Sequence, residues 1–570
     1  MPGKSITEHN NKAIKQTFFR LYFYVCASPF KDKLSPNRNN PSPRIKGLLL
    51  KLNLSSILLL GIALGACTSL QQPIMQHAAD SNFKELKTCT SFISDIETTI
   101  RTANVIDAEA RRIPGYPYLR TNRFLSDFRH EKLSNRAFAH WVNHLLTLGL
   151  DGWRIELANL PHTAKDQLAK LANQINRSQI KASGMGVDEA LQYCSNILKA
   201  VDLDEPDEQQ NLKLKATTPD EYNTWQRVLG LYPITALVFR SGISRWHKNT
   251  RRVFALPLGK LPVSGSLIQY TPPPDSVQLT SLQVSQIINS SFNNALGIPE
   301  PADEDVKRLF DSFAPVFEID VVTNDDRIGT VEWDNSGQAE INIHSPKVYR
   351  HFSYTRIAEN ILLQLNYTIW FPSRPKTSSF DLLGGHLDGI TWRVTLLPNG
   401  NPWLYDTMHN CGCYHLVFPT RDATIIKQTQ IINEPVFIPQ IISPDITKGP
   451  LDFQSILRPI LRIAHGSHYI ERVYFESSRS VQAINYQYAD SRELRSLKLD
   501  DGNYRSLYGQ DGIIKSSQRN ERYLFWPMGI PSPGAMRQWG HHAIAFVGRR
   551  HFDDARLFEE YFRYPDIGND

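Results

Sequence analysis

The sequence contains no G-x-S-x-G elbow, no Walker A loop, no G-x-G-x-x-G turn and no H-E-x-x-H helix. At the level of motif this closes the usual routes to a hydrolase, a nucleotide-binding protein or a zincin. There is no internal repeat of fixed period and no low-complexity tract. Cysteine is scarce, six in 570 residues, far from the density of a disulfide-stapled scaffold. What is present, 41% hydrophobic, 10% aromatic and 21% charged residues, is the composition of a folded, water-facing protein, which excludes wholesale disorder and a polytopic membrane protein. At roughly 100–200 residues per domain, the length implies two or three hydrophobic cores.

Positive charge is missing where nucleic-acid binding would need it. The net charge is +6, but residues 1–66 hold ten of the 63 Lys and Arg and only two of the 57 Asp and Glu, so the remainder stands at −2. Nucleic-acid binding leaves a basic domain or stripe. The excess here belongs to a leader, and no nucleic-acid partner is expected.

In that leader, Lys46 and Lys51 precede Leu52–Ala66, fifteen residues without a charge. This is short of the ~20 apolar residues of a spanning helix, and a basic region, a short apolar run and small residues before a cut describe a secretory signal. Its end, Leu64-Gly65-Ala66-Cys67, resembles the lipobox of bacterial lipoproteins. The resemblance covers the leader alone. It implies cleavage before Cys67, acylation of the Cys67 thiol and attachment to a membrane through that lipid. Thr68 in place of Asp implies delivery to the outer membrane, with the protein facing the periplasm. Residues 1–50 exceed an ordinary basic region, and translation from near Lys46 would restore one.

The expected class is α+β: a helical amino-terminal domain, then a mainly antiparallel β domain with one long central helix. Residues 1–66 read as leader, 67–80 as a lipidated tether, 81–255 as the helical domain, 256–300 as a linker around Pro272-Pro273-Pro274, and 301–570 as the α+β domain. In the helical part, Ala137, Phe138, Trp141, Val142, Leu145 and Leu146 recur every three or four positions after Ser134 or Asn135 as N-cap. Arg240, Arg245, Trp246, Lys248, Arg251 and Arg252 form a basic, aromatic-bearing segment suited to anionic lipid or to solvent. Further on, short β-like runs occur at 316–322, 329–333, 339–344, 390–397, 402–406, 456–464, 469–475 and 543–547. Between them Tyr354, Ile357, Ala358, Ile361, Leu362, Leu365 and Ile369 make an apolar stripe that predicts a helix over 353–370, stopped at Pro372.

Candidate chemistry concentrates in His409-Asn410-Cys411-Gly412-Cys413-Tyr414-His415. His409, Cys411, Cys413 and His415 are soft or borderline ligands for zinc or copper, provided the chain bends at Asn410 or Gly412. An oxidising compartment favours disulfides instead. Cys89 and Cys194 both lie in the helical domain and are expected to pair. Cys411 and Cys413 would then bridge to each other, act as a redox dithiol or remain as ligands. His386 with Asp388, and His465 with His468, are candidates for proton transfer. Arg537 and His541 are candidates for holding an anionic substrate group.

These features support a lipid-anchored envelope protein with a metal-dependent Cys/His site acting on an anionic substrate. The rival readings are a non-catalytic envelope lipoprotein with structural disulfides that contacts a partner or envelope ligand, and a thiol-disulfide redox protein. Mass spectrometry of the chain extracted from envelopes is expected to find an acylated Cys67 as amino terminus, with acylation abolished by Cys67→Ser. An intact chain with a free Cys67 thiol excludes the anchor.

Overall fold

The computed structural model describes residues 84–176, 186–426, 433–442, 457–475 and 482–565. The leader, Cys67 and the tether to residue 80 lie outside them. Among the described residues no helix is long and apolar enough to cross a membrane.

The first part is helical: α1 (Lys84–Ala103), α2 (Arg123–Asp127), α3 (Asn135–Ala158), α4 (His162–Asn176), α5 (Val187–Asp202), α6 (Pro206–Lys215), α7 (Thr224–Leu229) and α8 (Tyr232–Ala255). A small hairpin of β1 (Arg111–Ile113) and β2 (Tyr116–Thr121) interrupts it. Helix α3 begins where its cap dictates, with the Ser134 side chain accepting a hydrogen bond from Ala137 N, and its apolar stripe is buried. The Trp141 indole, buried in that stripe, donates to Leu125 O at 2.8 Å, so its one polar atom is satisfied. Cys89 on α1 and Cys194 on α5 are disulfide-bonded across 105 residues, as expected.

The second part is built on strands: β3 (Ser266–Thr271), β4 (Val316–Val321), β5 (Thr330–Trp333), β6 (Ala339–Asn342), β7 (Lys347–Ile357) and β8 (Asn360–Arg374). There follow β9 (Gly385–Leu396), β10 (Pro402–His409), β11 (Leu416–Pro419), β12 (Thr424–Ile425), β13 (Ile460–Ile463), β14 (Ile470–Tyr474), β15 (Gln482–Asn485) and β16 (Gln487–Asp490). Six strands form one sheet in the order β11-β10-β9-β8-β7-β16, and five form another in the order β14-β13-β4-β3-β15. Most pairings are antiparallel; β16 with β7, β13 with β4 and β15 with β3 run parallel. The two sheets share one apolar core: Tyr270, Phe317, Ile319 and Leu461 of the smaller sheet meet Leu365, Ile369, Ile390 and Trp392 of the larger. The chain is therefore α+β, helices first and sheet after.

Three local expectations are corrected. Residues 353–370 are not a helix but most of the β7–β8 hairpin, with Ile357 opposite Asn360 across a two-residue turn. The stripe was ambiguous because β8 is buried on both faces. Leu363, Leu365, Tyr367, Ile369 and Phe371 enter the shared core, while Leu362 and Trp370 fill separate clusters on the other side. A strand apolar on both parities also satisfies a 3.6-residue period. Residues 543–547 form only a single bridge, Ala543 to His551, rather than a strand. Residues 266–271, inside the segment read as linker, are strand β3 between β4 and β15.

The hairpin turn offers a test. Ala358 has φ +50°, a left-handed conformation that costs an L-residue about 1–2 kcal/mol. Ala358→Gly is expected to stabilise the protein by up to about 1 kcal/mol in denaturant unfolding, whereas in a helix interior the same change would destabilise by about 1 kcal/mol.

Candidate functional site

The 409–415 segment does turn. His409 N donates to Cys413 O at 2.9 Å and Gly412 N to His409 O at 2.7 Å. Gly412 has φ +87°, and a Cβ there would lie 2.7 Å from Ala543 O, so glycine is required on both counts. The turn does not gather the four candidate ligands. His409 pairs in register with Ile390, and Asp406, three residues back, with Arg393; an odd offset puts them on opposite faces of the sheet. His409 Nδ1 lies 3.6 Å from Asp388 Oδ1, while His415 Nε2 lies 3.0 Å from Asp406 Oδ2. Asp406 is further held by Arg393 through two hydrogen bonds of 2.8 and 2.6 Å. Cys411 and Cys413 carry free thiols within an apolar cluster with Leu387 and Met536. Their mutual hydrogen bond holds Cys411 below the ordinary thiol range and pushes Cys413 well above it. Among the described residues no three His, Cys, Asp or Glu side chains are placed to hold a metal ion.

What converges instead is a buried charge cluster on Asp388. This residue of β9 is wholly buried. It receives His468 Nδ1 at 2.8 Å and Arg519 Nη2 at 3.2 Å, with His409 next. Burial by itself would raise Asp388, but Arg519, His409 and His468 outweigh it and hold the carboxyl well below its usual range. Burial likewise opposes charge on His468, yet Asp388 on one side and Asp326 on the other, 3.5 Å from Nε2, raise it. Asp326 in turn accepts from Gly466 N at 2.6 Å and is brought down to about 2 against its burial, chiefly by His468. His409, with only one carboxylate, is lowered by burial. Leu387, Tyr414 and His468 all have positive φ, +55°, +61° and +53°. Such strain in non-glycine residues persists only where surrounding contacts over-determine it.

The cluster supports a cleft. Ser373–Lys376 at the end of β8, Gly384–His386 at the start of β9 and Gln518–Asn520 line a cavity of about 430 Å³. Strand register places Ser373 opposite His386 and Arg374 opposite Gly385. Arg519 donates to Leu387 O at 2.9 Å as well as to Asp388. Arg374 stands over the Tyr469 ring at 5.0 Å and donates to the Tyr469 hydroxyl at 3.1 Å. Arg374 Nη1 and Arg519 Nε are buried without a hydrogen-bond acceptor among the described residues. Among the described residues no Asp or Glu lines the cavity. Behind Arg374, Tyr414 and Tyr469 pack edge to face at 4.7 Å and, with Trp246, close a void of about 20 Å³ over His409.

Of the candidate proton-transfer residues, Asp388 and His468 are joined directly. His386 lines the cleft with Nε2 on Ala339 O at 2.7 Å. His465 is half-buried in the turn that carries His468 and is not among the residues that line the cleft. Arg537 and His541 do not reach the cleft either. Arg537 donates to the carbonyls of Pro531 and Ser532, and His541 contacts Glu221 at 3.0 Å and Ala108 O at 2.9 Å. Sequence reasoning missed Asp326, Arg374, Lys376, Arg519 and Glu521. The available signal was Arg374-Pro375-Lys376 directly after a long apolar run, which a helix reading turned into a stop.

Comparison with protein-family models, curated proteins and solved structures gives no match, so the reading rests on the chain's own chemistry.

Two outcomes are expected from unfolding titrations. His468→Asn tolerates the positive φ but removes the cation that Asp388 and Asp326 share, and should cost about 3–5 kcal/mol. Because folding raises His468, its contribution is complete below the ordinary value of 6.5 and is lost as pH rises through the folded value. The deficit of the variant should therefore shrink at alkaline pH. Glu521 behaves separately: burial, against Arg519 and Arg374, pushes it up to about 7. Folding stability should fall as pH rises from 4.5 to about 7, and Glu521→Gln should remove part of that fall.

Proposed function

We propose that this chain is a lipid-anchored envelope protein, held through Cys67 and facing the periplasm, that binds an anionic group in the cleft of Arg374, Lys376, His386 and Arg519. The observation that carries the reading is that Arg374 and Arg519, each with a buried guanidinium N–H that has no acceptor among the described residues, both line a cavity to which no described acid contributes. Burying a cationic donor without an acceptor is costly. A carboxylate or phosphate oxygen supplies both the acceptor and the charge. The buried cluster acts here as a positioning device: Asp388 holds Arg519, Tyr469 holds Arg374, and His468 neutralises the two carboxylates behind them.

This assigns the sequence's two chemical themes differently from a metal centre. Asp388 and His468 are sealed from solvent, so they organise the cleft rather than touch a ligand. His386, half-buried on its lining, is the group nearest to a proton-transfer role. Lys376 lies at the mouth and adds charge without a partner that would be lost on substitution.

Inorganic phosphate and acetate, titrated at constant ionic strength, are the probes. Thermal stabilisation by at least one of them, growing as the logarithm of concentration above its Kd, is expected for the parent. Lys376→Glu should weaken it by tenfold or more. Stabilisation no greater than that from chloride would end the proposal.

A further inference from the structure

The helical part carries an apolar surface that the cleft does not explain. Trp225, Val228 and Leu229 on α7, Leu231 between the helices, and Ile234 and Leu237 on α8 are each between 60% and 69% exposed. Large contiguous apolar patches on a folded chain mark a docking face. The opposite side of α8 is well packed, with Ala236 and Phe239 in a cluster with Met528 and Val547. The helix is therefore held firmly and presents its outer face by design of the packing.

That face changes character along the axis. Ile234, Leu237, Ser241, Arg245, Lys248 and Arg252 follow one another at spacings of three and four and share one side of α8. Its first half is apolar and its second half cationic. Arg245, Lys248 and Arg252 are exposed, and no acidic residue occurs anywhere from Tyr222 to Pro274. At 1.5 Å per residue, Ile234 and Arg245 are roughly 16 Å apart along the helix. A helix inclined to a bilayer surface would place the apolar tip below the headgroups and the cations level with lipid phosphates.

We propose that α7 and the outer face of α8 dock onto the surface of an anionic phospholipid bilayer, Trp225, Leu229, Ile234 and Leu237 entering the interface and Arg245, Lys248 and Arg252 meeting the phosphates. The charge pattern selects this occupant: a parallel second copy would set cation against cation, and an antiparallel one would lay the cationic half over the apolar half and leave the charges without acidic partners. The inference stands on this face alone and needs neither the acyl chain nor the cleft.

The test uses the full chain carrying Leu237→Cys labelled with an environment-sensitive fluorophore, mixed with vesicles of phosphatidylcholine with or without phosphatidylglycerol. Flotation with phosphatidylcholine alone reads the lipid anchor separately. On vesicles containing phosphatidylglycerol the label should shift to the blue and be quenched by nitroxide-bearing lipid, and both effects should be lost in high salt. They should also be lost in the Arg245→Glu, Lys248→Glu, Arg252→Glu variant. A label that stays water-exposed on both vesicles overturns the proposal. So does a shift of equal size on neutral vesicles, or one that appears without lipid as protein concentration rises, which would identify a second copy.

Discussion

The strand-rich half depends on keeping one carboxylate charged in a place without water. Asp388 is buried in the sheet, and its ionised form is held by Arg519, His468 and His409, which come from three other segments of the chain. Each contact is conditional on the rest. An unpaired buried charge costs several kcal/mol, and a pair stripped of one partner leaves the other exposed to the same penalty. The cluster therefore ties the β8–β9 hairpin, the 409–415 turn, the loop bearing His468 and the segment around Arg519 into one arrangement. The positive φ values at Leu387, Tyr414 and His468 fit a region where tertiary contacts override local preference.

On the proposed reading, this arrangement links stability to anion binding. Arg519 uses part of its fork on Asp388 and Leu387 O, and Arg374 uses part of its own on Tyr469. What is left over faces the demand for an acceptor. A guanidinium fixed in this way loses little conformational freedom on meeting an anion, which is the physical advantage of arginine over lysine at such a position. Lys376, on its flexible stem, adds attraction without orientation. The second buried cluster, Arg393 with Asp406 and His415, sits across the same sheet and has no cavity of its own among those described. It explains why two histidines six residues apart in a turn have separate fates.

Local patterns legible in the sequence were those where one physical requirement acted alone. Helix α3 followed from a one-sided stripe and a serine cap, and the residues able to bend the chain, Asn410 and Gly412, from their tolerance of positive φ. The Cys89–Cys194 bridge followed from two cysteines in one helical part. The α+β class followed from helical periods first and short β runs after. Residues 353–370 were misread because β8 is apolar on both faces, and a doubly buried strand and a buried helix look alike by periodicity alone.

The site separates along the same line. The sequence alone determined which residue types were at hand: a dense run of histidine and cysteine at 409–415, a histidine and an aspartate at 386 and 388, and a segment without acids from 222 to 274. Only the tertiary structure decided which of them meet. Strand register sent His409 and His415 to opposite faces, brought His468 to Asp388 across 80 residues, and delivered Arg519 to a cleft that no local pattern announces. Side-chain direction in a sheet alternates with each residue, so proximity in the chain carries no information about proximity in space until the register is set.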